Sequence, residues 1–124
     1  MIFEARDQTS LFGHEKEAAA FMGAWHAGRF PHAWLITGQS GIGKATFAYH
    51  AARWVLANDR RADTLELPQN HQVVRQVSTG ACPGLLVIEP EDNDKTGAQY
   101  TISVTQIRGG HDKRTDVRYK GIYR

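Results

Sequence analysis

The residues with the clearest chemistry in this chain are Gly38-Gln39-Ser40-Gly41-Ile42-Gly43-Lys44-Ala45-Thr46. Glycines at 38, 41 and 43 allow the backbone to wrap with its N–H groups turned inward, and the lysine that follows can reach the outer oxygens of a polyphosphate. If a helix starts at Lys44, the positive end of its dipole adds to the same site. The chemistry is that of nucleoside triphosphate, with ATP or ADP as the expected cofactor. The residue after the lysine departs from the full pattern, which wants a Ser or Thr hydroxyl there to ligate magnesium. Here it is Ala45. Thr46 stands about 100° further round a helix of 3.6 residues per turn and should not occupy the same point. The loop is therefore expected to bind phosphate with little help from magnesium and to hydrolyse weakly or not at all.

A phosphate loop works only between a strand and a helix, and the flanking sequence has that form. Ala33-Trp34-Leu35-Ile36-Thr37 is a short apolar run suited to a buried parallel strand, and Lys44 to Ala57 has helical spacing. Within that helix Thr46, His50 and Arg53 form one polar stripe, while Phe47, Ala48, Ala51, Ala52, Val55 and Leu56 supply the apolar surface. Upstream, Glu15 to Ala27 reads as a second helix, with Ala18, Phe21, Met22 and Trp25 at helical spacing and Gly28 as its stop. The first ten residues have no periodic pattern and read as a loosely held arm.

Downstream, 58–68 turns polar and charged and reads as a surface loop. Gln69 to Ser78 predicts a short amphipathic helix with Val73, Val74 and Val77 inside and Gly80 ending it. Leu85-Leu86-Val87-Ile88-Glu89, bounded by Gly84 and Pro90, predicts a second inner strand. Glu91 to Gly97 is a polar turn, an exposed hairpin or loop rather than a calcium loop, because the glycine and the terminal glutamate are misplaced. Ser103-Val104-Thr105-Gln106 has the form of a capping box, and Gly109-Gly110 would stop the helix it starts.

No apolar run after the loop ends in paired acids. Glu89, or Asp92 and Asp94, are weak substitutes for the carboxylate that would hold magnesium and orient water. His14, His26 and His32 are too irregularly spaced for a metal site, so no metal ligand is expected. Trp25, Trp34 and Trp54 each lie in an apolar pattern and read as core or rim aromatics rather than a base-stacking platform.

At 124 residues, with 41% apolar and 23% charged side chains, the chain has the length and composition of one globular domain. No stretch has the length of a bilayer span, and acidic residues near Met1 do not suit a signal peptide, so a cytoplasmic location is expected. Cys82 is the single cysteine, which rules out an internal disulfide. The net charge of +2 is uneven, with +3 in 109–124 and −1 in 1–108. That basic end, with Tyr119 and Tyr123, opens a nucleic-acid reading beside the plainer one of a solvated tail.

Leu11-Phe12-Gly13-His14, Gly28-Arg29-Phe30-Pro31-His32-Ala33-Trp34-Leu35-Ile36-Thr37-Gly38, the loop, Pro83 to Glu89, Ile102-Ser103-Val104 and Gln106-Ile107-Arg108 together carry a resemblance. In order and spacing they resemble the N-terminal part of the delta prime family of bacterial DNA polymerase III, clamp-loader subunits of the AAA+ class. The resemblance covers about Leu11 to Arg108. It implies an α/β fold, a three-layer αβα P-loop domain with a parallel sheet core, here truncated and spanning 1–108, followed by a basic tail over 109–124 that departs from the family pattern. It further implies a component of the DNA polymerase III holoenzyme, not itself catalytic, within a five-subunit assembly that places the ring-shaped sliding clamp on primer-template DNA. The other clamp-loader subunits, gamma or tau and delta, are the implied partners, with DNA contacted through the assembly.

Carried over by position, Phe12 and Gly13 would border the base, and Gly38 with Gly41, Ile42, Gly43, Lys44, Ala45 and Thr46 the phosphates. The family's acidic strand, sensor strand, Ser-Arg-Cys motif, lid and collar do not follow, and its four-cysteine zinc knuckle is reduced to Cys82. The chain as given is thus expected not to load clamps. Two other functions stay open: an active P-loop NTPase or small-molecule kinase using Lys44 and Thr46, and a nucleic-acid-binding protein driven by the tail.

Overall fold

The computed structural model describes residues 4–88, 91–93 and 98–101. The chain divides into two units, Met1–Cys82 and Pro83–Arg124.

The first unit is built on three helices, α1 (Glu15–His26), α2 (Lys44–Leu56) and α3 (Gln72–Ser78). Glu15 and Glu17 lie in the first turn of α1, where their charge favours the helix dipole. Its buried residues Ala18, Phe21 and Met22 fall three and four apart, the spacing that puts side chains on one face. The helix ends on Gly28, whose N–H donates to Trp25 O, while Arg29 N–H donates back to Ala24 O. This pair of bonds is a Schellman closure, and α3 ends the same way at Gly80 and Ala81.

Between α1 and α2 the core is an aromatic cluster. Phe21 meets Phe30 and Trp34 at 5.0 and 4.9 Å between ring centroids, and Trp25 packs edge-on against Trp54 at 5.8 Å. Trp54 is 0% exposed, and its indole N–H donates to Arg61 O at 2.7 Å, so the buried ring leaves no orphan donor. Above it the Arg60 guanidinium lies 4.7 Å from the Trp25 ring centre. Trp54 is thus core, Trp25 packs against that core, and Trp34 lies half-exposed at the rim.

Two expectations change in this unit. The segment after α2 is not wholly surface, because Leu65 packs into the aromatic core and Leu67 joins Ala57 and Val74 in a second cluster. Two leucines in an otherwise charged stretch are enough to pull the loop back onto the helices. The polar stripe of α2 includes two buried residues, His50 and Arg53, each 2% exposed. The N-terminal arm is not loose over its described residues, 4–10. Residues Ala5–Asp7 form a single 3-10 turn, the Arg53 Nη2 donates to Gln8 O at 2.7 Å, and Ser78 Oγ donates to the Asp7 carboxylate. Leu11 N–H adds a third tie, to Glu66 Oε1 at 2.7 Å. The arm thus offers the Gln8 carbonyl as acceptor to the buried Arg53, the Asp7 carboxylate to Ser78, and the Leu11 N–H as donor to Glu66.

The parallel sheet expected from Ala33–Thr37 and Leu85–Glu89 is not seen among the described residues. Neither 33–37 nor 85–88 carries ladder hydrogen bonds, and Glu89 lies outside the described residues. An apolar run becomes a strand only through a neighbour that accepts its N–H groups and donates to its carbonyls. In the second unit the one described ladder is antiparallel, β1 (Glu91–Asn93) with β2 (Ala98–Thr101), and pairs Glu91 with Thr101 and Asn93 with Ala98. This pairing agrees with a hairpin around the acidic turn. The capping box at Ser103 and the basic end at 109–124 lie outside the described residues.

Candidate functional site

The loop from Gly38 delivers the chain into α2 through two left-handed residues, Gly41 at φ 80° and Gly43 at φ 99°. Gly43 is the N-cap of α2, and Phe47 N–H donates to its carbonyl at 2.9 Å. A side chain at Gly43 would be strained by that φ, and its Cβ would stand 3.8 Å from His14 Nε2. Glycine turn and helix start therefore have the form a phosphate loop requires, while the strand expected before it is not seen among the described residues.

Within the loop the polar groups bond one another. Ile42 N–H donates to Gln39 O at 3.3 Å, and the Lys44 ammonium donates to Gly38 O at 2.5 Å and Gln39 O at 3.3 Å. Any phosphate must compete with those two carbonyls for the lysine. The exchange favours the phosphate, since its oxygens carry a charge opposite to that of the ammonium whereas the carbonyls are neutral.

Two clefts flank the loop, separated by His14, Ile42 and Gly43, which line both. The smaller, about 220 Å³, runs between the arm (Gln8, Ser10, Leu11, Phe12) and the loop, with Thr46 at its base. The larger, about 410 Å³, has Lys44 at one end and Phe21, Trp34, Leu35 and Ile36 as an apolar wall. Of the residues expected at the site, Phe12, Gly41, Ile42, Gly43 and Thr46 come together in the smaller cleft. Ile42, Gly43 and Lys44 border the larger one. Gly13, Gly38 and Ala45 line neither, although Gly38 holds the lysine through its carbonyl.

The residues do not fit a magnesium site. Ala45 offers a methyl group where a hydroxyl would ligate, and no group of three or more His, Cys, Asp or Glu among the described residues could hold a metal ion. They do fit an anion: left-handed glycines, a helix N-terminus and a lysine converge, with no carboxylate among the described residues bonded to the lysine.

Side chains outside the motif hold this arrangement, and periodicity did not single them out for that role. His14 Nε2 donates to Ile42 O at 2.9 Å, and its ring meets Phe47 edge-on at 6.4 Å. His50 Nδ1 donates to Thr46 O at 2.8 Å, and its Nε2 has no partner among the described residues. Arg53 reaches from α2 to Gln8 O, and burial pushes its guanidinium below the ordinary value while Asp7 and Tyr49 pull it back. Together with Glu66 on Leu11, Arg53 fixes both ends of the arm segment that walls the smaller cleft. The available signal was the polarity of His50 and Arg53 on a helix otherwise rich in alanine.

No helix among the described residues is long and apolar enough to cross a membrane. Comparison with curated proteins and with solved structures gives no match. A family model described as DNA polymerase III, delta subunit, matches residues 13–123, which runs from the arm through the loop and past the last block quoted above, into the basic end. Nearly the whole chain is covered, and it belongs to the delta prime family of DNA polymerase III subunits, the clamp-loader family of DNA replication.

Proposed function

We propose that this chain is a clamp-loader component that binds ATP or ADP through its phosphate loop and does not turn it over. Supporting this reading is one observation: Gly41, Gly43 and Lys44 meet at the start of α2 while the next residue, Ala45, has no oxygen to offer a metal. The N–H groups of the loop and the Lys44 ammonium would hold the phosphates, and the arm around Phe12 and Gly13 would border the base. A nucleotide supplies the polyphosphate charge when bound. The protein's part is to orient it and to keep one cation on its outer oxygens, both of which act without magnesium.

The finer architecture follows the same reading. Ala33–Thr37 and Leu85–Glu89 are proposed as parallel inner strands of an αβα P-loop domain, and gamma or tau and delta subunits as the partners. Contact with DNA is made through the assembly, and the location is cytoplasmic. The rival reading, an active P-loop NTPase or small-molecule kinase, draws on Thr46, whose residue lines the smaller cleft and whose hydroxyl is the nearest substitute in sequence for the missing one.

Isothermal titration of the full chain with ATP and ADP, with and without magnesium, separates the two when paired with a turnover assay. Binding that magnesium changes little, without phosphate release, is expected. Multiple turnovers abolished by Lys44→Ala would establish the enzyme instead.

A further inference from the structure

His14 has the most unusual backbone outside glycine. At φ 61° and ψ 29° it is the one non-glycine residue of positive φ among the described residues, although it cannot make use of that region as cheaply as glycine. The conformation places it as N-cap of α1, where its carbonyl accepts from Ala18 N–H at 2.9 Å, and leaves its side chain free to turn away from the helix. That side chain makes no cap of its own and instead reaches the phosphate loop 28 positions on, bonding Ile42 O.

A carbonyl oxygen can only accept, so the proton in this bond belongs to Nε2 of the imidazole. The Ile42–Gly43 peptide is trans, as are all the described peptides, so its C=O and N–H point in opposite directions. Holding the carbonyl towards α1 therefore turns the Gly43 N–H away from α1. That N–H has no backbone acceptor among the described residues. Gly43 could otherwise rotate this peptide plane easily, since glycine has few steric barriers.

We propose that His14 is a positioning residue for the phosphate loop: its Nε2–H holds the Ile42 carbonyl and so aims the Gly43 N–H at the phosphates of a bound nucleotide. The idea rests on the nucleotide-binding reading given above. It assigns the histidine neither chemistry nor contact with the ligand. Its effect passes through one peptide plane, and it ties the start of α1 to the start of α2 at the loop.

Two substitutions isolate the bond. His14→Phe keeps a ring against Phe47 and removes the donor, while His14→Gln keeps an N–H of similar reach; both carry the same positive-φ penalty. ADP is titrated into the full chain without magnesium, and unfolding midpoints are recorded for each variant. The Phe variant should bind about fivefold more weakly than wild type, the size of one lost hydrogen bond, and the Gln variant within about twofold. The two variants should unfold alike. In nitrogen NMR of the nucleotide-free protein, the neutral His14 ring should carry its proton on Nε2. Wild-type binding of ADP with the Phe variant equally tight, or the Gln variant falling with it, overturns the positioning role alone, as does a proton found on Nδ1. Failure of wild type to bind ADP at all overturns the nucleotide reading and this proposal with it.

Discussion

The phosphate loop and the apolar run that leads into it adjoin in sequence, yet they satisfy their backbones differently. Residues Gly38 to Lys44 bond among themselves and to His14, over separations of three to six positions within the loop. Residues 33–37 make no ladder bonds, and Leu35 is 88% exposed. The difference is one of range. A turn or helix finds its partners within a few residues, whereas a parallel strand needs another strand a dozen or more residues away, brought in at the entropy of closing that loop. Of these two adjoining stretches, the one whose backbone bonds close over a few positions makes them, and the one that needs a distant strand has no ladder bonds among the described residues.

The largest test of that contrast is a pair of truncations. Trp54→Ala removes a fully buried ring from the cluster under α2 and should lower stability by about 3–5 kcal/mol in urea unfolding, enough to abolish folding in a marginal domain. Leu35→Ser should change it by no more than about 0.5 kcal/mol at the exposed, unpaired position seen here, whereas the inner-strand arrangement proposed above requires a loss of core size. Equal losses would mean that the run is paired and buried in solution, and the contrast between loop and run would break. Addition of the partner subunits should leave the Trp54 result unchanged.

Next in size are the charges at the loop and beneath it. Lys44→Ala should weaken ADP binding by roughly ten- to a hundredfold, as expected when a charge-assisted bond to phosphate is removed. Ala45→Thr places a hydroxyl where magnesium would look for one, so it should make ATP binding magnesium-dependent without producing turnover, because no acidic partner accompanies it. An unchanged magnesium response in that variant would leave the loop as an inherited turn. Arg53→Met tests the packing below. The buried guanidinium bonds Gln8 O and Tyr49 O, so its loss should destabilise by about 1.5–3 kcal/mol and free the arm to limited proteolysis near Gln8.

The sequence was most readable where structure is local. Gly28 and Gly80 mark helix ends that the chain in fact closes with Schellman bonds, and the start of α2 falls on the lysine. It was least readable where a residue's partner lies far along the chain. Nothing in the spacing of Arg53 shows that Gln8, 45 positions earlier, will accept its proton, and nothing in a lone His14 shows that it will bond Ile42. The polar and charged composition of 58–68 reads as a surface loop and hides Leu65 and Leu67, which are buried. The glycines of the candidate site were legible for the reason that they act through backbone shape. The groups that hold them were not, since their action depends on the tertiary fold.

The smallest effect belongs to a bond between an exposed carboxylate and a largely buried histidine. Asp59 Oδ1 accepts from His71 Nε2 at 2.6 Å, and the other ring nitrogen, Nδ1, accepts from Val73 N–H at 3.1 Å to cap α3. The bond to His71 holds the Asp59 carboxyl below the ordinary carboxylate value, with a further contribution from its own backbone N–H. A carboxylate whose value is lowered by folding stabilises the fold above its unfolded value, and that contribution disappears as the pH falls through the folded one. Asp59→Asn should therefore match wild type most closely at the acid end of a titration and fall slightly behind it towards neutral pH, with the gap opening across the carboxylate range. Salt should narrow the gap, because the acid is open to water. Unfolding midpoints for the two proteins across that range decide the matter. A gap as large as that of Arg53→Met would mean that α3 and its cap carry a share of stability comparable to that of the buried Arg53 and the arm it holds.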